Sequence, residues 1–139
     1  MKTHVPVTHI MTSQVITAEK DTSLVEVESI MKSKHIRHLP VVNGNEVVGI
    51  ISLTDLQRLS FTASFAEETV DDEVAIMNLL SLDQVMIHKP FTVQKTATVG
   101  DVADILIRME FHALPVLDGT ELIGIVTSTD LLKYFTDKI

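Results

Sequence analysis

A chain of 139 residues can form one compact domain burying roughly 65–70% of its unfolded surface, and 45% apolar residues with only 4% aromatics suit a buried Val, Ile and Leu sheet with packed helices. Eleven Lys and Arg against 19 Asp and Glu give a formal charge of −8, which argues against DNA or RNA as a partner but leaves room for a few local cations to hold one phosphate group. Cysteine is absent, excluding disulfides, zinc-thiolate sites and thiol nucleophiles; with no signal-peptide core at the N-terminus and no apolar run long enough to span a bilayer, a cytoplasmic protein without a membrane partner is expected.

The first expected element is a short extended piece, Gln14–Thr17. A helix follows, with Ser23 and Glu26 at capping-box spacing and an apolar stripe of Leu24, Val27, Ile30 and Met31. Asn43-Gly44 between apolar runs signals a hairpin turn. The returning strand, Glu46–Ser52, leads into a second helix at Thr54-Asp55. Ser60–Glu73 is polar and acidic and reads as a solvated linker. Val74–Met86 reads as a helix that packs or joins, with Val74, Met77, Leu80 and Leu82 apolar. The order then returns: an extended piece at Phe91–Val93, a helix opened by Thr98 and Asp101 with the stripe Val99, Val102, Ile105 and Leu106, a turn at Asp118-Gly119, a strand at Glu121–Thr127 and a helix at Thr129-Asp130.

A shift of 75 positions sets the halves in register without gaps. From Ile36 on Phe111 through Gln57 on Leu132, 10 of 22 pairs are identical. Upstream, Met11 meets Met86, Thr17 meets Thr92 and Ile30 meets Ile105. The chain therefore reads as two β-α-β-β-α repeats, residues 5–59 and 80–135, joined by an acidic linker and connecting helix over 60–79.

His9-Ile10-Met11-Thr12, the pair His38-Leu39-Pro40-Val41-Val42 and Ala113-Leu114-Pro115-Val116-Leu117, and two copies of Gly-x-x-[Ser/Thr]-x-x-Asp resemble the CBS-domain family, named after cystathionine β-synthase. The copies run from Gly49 to Asp55 and from Gly124 to Asp130, and the likeness covers nearly the whole chain except the linker. It implies an α/β (α+β) fold: two repeats packed about a pseudo-twofold axis into one stand-alone CBS pair, with helices outside and two equivalent clefts between the repeats. Some proteins of this kind carry an acetoin-utilisation-like label. Many pair further into disk-like homodimers through their helices, and the mean hydropathy of +0.28 is consistent with apolar surface left for a partner subunit.

The resemblance also implies a ligand: an adenine nucleotide, AMP, ADP or ATP. Asp55 and Asp130 stand where the family places a carboxylate that accepts both ribose hydroxyls. Ser52 and Thr127, with the free N–H groups of helices beginning at Thr54 and Thr129, would meet phosphate. Thr17, Ala18, Ile36 and Pro40, and in the second repeat Thr92, Phe111 and Pro115, would supply a flat apolar slot for adenine. A cationic run, Lys32, Lys34, His35, Arg37 and His38, keeps only Arg108 and His112 in the second repeat; Arg37, with His112 opposite, is expected to meet phosphate, so that the two clefts differ. Each reading has a rival in the residues themselves. Thr-Asp at a helix start is favoured by capping alone, Ser52 and Thr127 could be plain strand residues, and the lysines could simply decorate a helix C-terminus.

No His-x-x-x-His with a carboxylate appears, so no protein-built metal site is expected, and Mg²⁺ would come only with a polyphosphate. No Gly-x-Ser-x-Gly elbow or Gly-rich phosphate loop with Lys is present, so no catalysis is expected. The implied function is a nucleotide sensor whose rearrangement is read by a regulated partner protein. A structural or interaction module with empty clefts and a binder of S-adenosylmethionine stand as alternatives.

Overall fold

The computed structural model describes residues 4–65 and 77–137. In chain order it contains a 3-10 turn Val7–His9, strand β1 (Ala18–Glu19), helix α1 (Leu24–Ser33), strands β2 (His38–Asn43) and β3 (Glu46–Ser52), and helix α2 (Leu53–Phe65). A short helix α3 (Leu82–Val85), strands β4 (Ile87–His88) and β5 (Val93–Gln94), helix α4 (Val99–Met109), strands β6 (Ala113–Asp118) and β7 (Glu121–Thr127) and helix α5 (Ser128–Asp137) follow. The β-α-β-β-α order is thus present twice.

Two compact units result. One is built from residues 16–89, the other from the N-terminal segment through Val15 together with Pro90 onward. In the first, the sheet order is β1-β2-β3-β4. Strand β1 runs parallel to β2 (Ala18 beside Val41), β2 and β3 form an antiparallel hairpin, and β4 lies antiparallel to β3 (Ile50 beside Ile87). The second unit repeats this with β5-β6-β7. In place of a fourth strand, Thr12 bridges Ile125, each N–H donating to the other's carbonyl at 2.8 and 2.9 Å. Thr12 and Ile87 occupy the same repeat position. The segment leading into each repeat therefore edges the hairpin of the other, and the compact units are cut differently from the sequence repeats.

Each unit has its own core. Leu24, Val27 and Met31 of α1 pack with Leu39, Val41, Ile51 and Leu56 in the first. Val99, Val102 and Leu106 of α4 pack with Leu114, Val116, Val126 and Leu131 in the second. Burying each such side chain is worth about 1.5–3 kcal/mol, and the stripes are those the 3.6-residue period marks. The expected caps form as well: Ser23 accepts the Glu26 N–H, and Thr98 and Asp101 make a full reciprocal box.

Four expectations are corrected. The extended pieces fall not at Gln14–Thr17 and Phe91–Val93 but at Ala18–Glu19 and Val93–Gln94. The parallel ladders begin at Val41 and Val116 because the preceding residues, Pro40 and Pro115, carry no N–H to extend them. In the hairpins Asn43 and Asp118 stay in the strands, and the loops are Gly44-Asn45 and Gly119-Thr120. Gly at the first loop position, with φ of 64° and 65°, is what a type II′ turn requires. Ser60–Phe65, read as linker, continue helix α2, while 66–73 lie outside the described residues. Val74–Met86 is not one helix: Met77–Leu79 are helical, and a new helix starts after Ser81, which forms a capping box with Gln84. Val74 lies outside the described residues.

A bulge at Val48 and at Ile123 precedes each hairpin glycine. A Cβ on Gly49 would collide with the Met86 sulfur, lie 2.9 Å from its methyl and 3.0 Å from the Ile87 carbonyl oxygen. On Gly124 it would collide with the Met11 sulfur, and its three nearest contacts all belong to that one side chain. A flexible thioether can move aside, whereas a backbone carbonyl cannot. Gly49→Ala is therefore expected to destabilise by about 1–3 kcal/mol and Gly124→Ala by less. Urea-unfolding midpoints check this, and the Gly49→Ala penalty should shrink in a Met86→Ala background.

Candidate ligand site

Each unit gathers its own copy of the candidate residues where the hairpin runs into the following helix. In the first, His38 lies beside Ser52 across β2 and β3, and the Arg37 carbonyl accepts the Leu53 N–H at 2.8 Å. Thr17 and Ala18 lie on the other side of β2, next to Pro40. In the second, Ala113 lies beside Thr127, and the His112 carbonyl accepts the Ser128 N–H at 3.0 Å. Thr92 adjoins β5 in the same way, next to Pro115.

At the centre of each copy is a reciprocal pair. The Ser52 N–H donates to Asp55 Oδ2 at 3.0 Å, and the Asp55 N–H donates to Ser52 Oγ at 3.1 Å. The Thr127 N–H donates to Asp130 Oδ2 at 2.9 Å, and the Asp130 N–H donates to Thr127 Oγ1 at 3.2 Å. These are capping boxes with a shorter acid in place of Glu. They explain why both helices begin one residue earlier than Thr54 and Thr129. They also correct the anion site: two of the first three helical N–H groups, those of Leu53 and Asp55 or of Ser128 and Asp130, are already bonded. What remains at each helix start is the Thr54 or Thr129 N–H, with the Ser52 or Thr127 hydroxyl still able to donate its proton.

The pair also fixes the acid. Asp55, with its side chain 20% exposed, and Asp130 are half-buried, and each turns one oxygen to its own strand end. Asp55 Oδ1 lies 4.0 Å from the Arg58 guanidinium, while the equivalent position in the second unit is Lys133. Arg58 is a neighbour that the sequence reading passed over, although its place one helical turn after Asp55 was visible.

The apolar candidates are distributed unevenly. Ala18, Pro40 and Pro115 are buried, Thr17, Thr92 and Ile36 are half-buried, and Thr54 and Thr129 are exposed. Phe111 sits against Phe91, centroids 6.4 Å apart, and together with His112 lines an apolar groove within the second unit. His112 is exposed, with the Ser128 hydroxyl 3.5 Å from its Nδ1. In the cationic run Lys32 pairs with Glu28 at 3.1 Å and Lys34 and His35 are exposed at the end of α1, so these three decorate a helix terminus. Arg37 is exposed and His38 half-buried at the start of β2. Among the described residues no three His, Asp or Glu side chains converge as a metal site, and no helix is long and apolar enough to cross a membrane.

Two duplicated α+β units in one chain, each with a capped carboxylate at the end of a hairpin, place the protein among tandem-repeat modules. The CBS-domain model matches residues 7–61 and 82–137, and the chain belongs to the CBS-domain family as a tandem pair. A CBS domain-containing protein of Dictyostelium discoideum is 32% identical over 128 residues, covering 91% of this chain and 88% of that one. The crystal structure of MJ1225 from Methanocaldococcus jannaschii, a suggested archaeal homologue of γ-AMPK, superposes with a TM-score of 0.83 at 30% identity, over 97% of this chain and 49% of that chain. This chain thus spans about half the length of that relative. The CBS domain pair of protein MJ0100, solved with 5′-methylthioadenosine and S-adenosyl-L-methionine, superposes with a TM-score of 0.80 at 26% identity, over 97% and 98%.

Because the hydroxyl and the acid of each box satisfy one another's backbone, Thr127→Ala and Asp130→Ala should each lower stability by about 0.5–2 kcal/mol, and the double variant by less than their sum. Thermal or urea unfolding of the three variants checks this. Additive losses would mean that the two bonds act independently.

Proposed function

We propose that this CBS pair is a regulatory module that binds an adenosine-containing ligand, an adenine nucleotide in the first instance, and performs no catalysis of its own. The observation that carries the reading is the duplicated carboxylate: Asp55 and Asp130 are each half-buried, held by one oxygen in a capping box, and left with a second oxygen to accept from a sugar diol. A carboxylate already fixed in orientation loses little freedom on binding, so each charge-assisted bond keeps most of its value, about 1.5–3 kcal/mol. The adenosine moiety shared by both ligands of the MJ0100 pair supports the same chemistry.

Phosphate rather than a sulfonium is favoured by Arg37 and His38 beside the first box, where the second unit carries His112 and Ala113. The two sites are therefore unequal, with Arg37 in the first and His112 in the second as the residues for phosphate contacts. Mg²⁺ enters only with a di- or triphosphate. The S-adenosylmethionine reading keeps one specific support, the ligands of the MJ0100 pair. Bound ligand alters how the repeats are held, and a regulated partner protein reads the change.

Thermal-shift titration with AMP, ADP, ATP and S-adenosylmethionine tests the reading. A ligand at 100 times its Kd should stabilise by about 2.7 kcal/mol, and a phosphate-bearing ligand should exceed S-adenosylmethionine. Asp130→Asn, which keeps an oxygen for the Thr127 N–H, should weaken binding roughly ten- to a hundredfold with little change in unliganded stability. Unchanged affinity in that variant removes Asp130 from the site, and no shift with any ligand favours a purely structural module.

A further inference from the structure

The two Met–Gly contacts are chemically alike and differ in access. Met86, against Gly49, is 6% exposed, whereas Met11, against Gly124, is half-buried. Of the other described methionines, Met31 and Met77 are buried in the first core and Met109 is 47% exposed at the end of α4. Among the described methionines, Met11 alone is both reached by solvent and part of a packed contact. It lies against the second core, and its sulfur, Cγ and Cε are the atoms nearest to where a Cβ on Gly124 would stand.

This contact holds down one end of a strap. Residues 5–12 are bound to the second unit at both ends. At the first, the Val7 N–H donates to the Ala97 carbonyl and the Val99 N–H to the Val5 carbonyl, each at 2.8 Å, and Val7 is fully buried. At the second, Thr12 pairs with Ile125 on β7, and Met11 presses on Gly124, each one residue earlier. The matching edge of the first unit has broader support. Ile87 and His88 both pair with β3, and the Lys89 N–H donates to the Val48 carbonyl at 3.2 Å.

We propose that Met11 is a modification site: hydrogen peroxide converts its thioether to the sulfoxide, and the change releases Thr12 from β7 while the edge of the first unit stays in place. A sulfur lone pair attacks one peroxide oxygen, the O–O bond breaks and an S–O bond forms. The released hydroxide takes the proton left on the transferred oxygen and departs as water, so the sulfur is oxidised and the peroxide reduced. The product is polar where the thioether was apolar, and sulfoxide reductases reverse it. At Gly124 the sulfur already stands where no Cβ fits, so the new oxygen cannot turn toward the glycine and keep the contact. It is drawn to water, and the side chain goes with it. Met86 has the same kind of neighbour but is closed to solvent, so peroxide acts on one repeat and spares the other. Ile125 stands two residues before Thr127 on β7, so the loosening reaches the strand that runs into α5.

The inference does not depend on the ligand reading, and its test uses the unliganded chain. Hydrogen peroxide is titrated in, the methionines are read by peptide mass mapping, and backbone opening is read by amide hydrogen exchange. Met11 and the exposed Met109 should oxidise well before Met86. Exchange at the Thr12 and Ile125 amides should then speed up about tenfold, as expected when roughly half the worth of a buried methionine is lost, while the Lys89 amide keeps its rate. Met11→Leu, a swap of similar volume, should abolish the response. Repair of the oxidised wild type by a methionine sulfoxide reductase should reverse it; this arm needs no substitution. Equal oxidation of Met11 and Met86, unchanged exchange at Thr12 and Ile125 once Met11 is oxidised, or loosening that persists in peroxide-treated Met11→Leu would overturn the proposal.

Discussion

The contact on which both units depend joins a methionine to a glycine. Met86 lies against Gly49 and Met11 against Gly124, at distances no Cβ could share. Each methionine belongs to the segment leading into one repeat and lies on the hairpin of the other. A β-hairpin with one helix on either side has an open strand edge, and open edges invite unwanted pairing. Here the edge of β3 is covered by Ile87 and His88, and that of β7 is met by Thr12. The thioether adds an adaptable apolar cover where the bulged strand bends. Neither repeat supplies this cover from its own sequence. The duplication is therefore more than two copies in tandem, because each copy completes the other's sheet.

From that scaffold the local chemistry of the hairpin end follows. Strand β3 must stop where the chain turns into α2, and a helix start needs acceptors for its first N–H groups. Ser52 and Asp55 supply them to each other, as do Thr127 and Asp130. The same bonds serve two ends. They terminate the strand and begin the helix without an unsatisfied donor, and they hold a half-buried acid in one orientation. Capping and ligand binding, which compete as explanations while only the residues are known, are compatible in the structure. A cap uses one carboxylate oxygen, and a diol needs an acceptor whose position is already set.

Much of this was legible in the residues because the signals were local. The apolar stripes of α1 and α4, the Thr98 box and both hairpins follow from periods of 3.6 and 2 and from Gly at a turn. What was misplaced depended on a partner strand or on competition between neighbours. The start of β1 is set by Pro40 on β2, which no reading of Gln14–Thr17 in isolation can reveal. The break at Ser81 reflects a cap overriding an apolar period. That Met86 lies against Gly49 depends on the segment leading into the other repeat, and nothing local to Gly49 reveals it. For the site, the grouping of Ser52 with Asp55 is inherent in their spacing. The attachment of Arg37 to the head of α2 through its carbonyl is not, since it spans two strands.

Duplicated positions that have diverged carry more information than those that have not. Gly49 with Gly124, Pro40 with Pro115 and Asp55 with Asp130 are unchanged, and each serves a geometric need that both units share. Lys32 against Ile107 and Gln57 against Leu132 lie on outer helix faces, where the fold places no demand. An exposed Ile in that position forgoes the solvation that its counterpart Lys retains, and it contributes nothing to its own unit's core. Arg37 against His112 differs for another reason: both carbonyls bind the next helix identically, so the backbone role is constant and only the side chain has changed. The frame common to both units thus separates what the architecture needs from what is specific to each half. By that measure, the first repeat has specialised in charge at the hairpin end and the second in apolar surface on its helices.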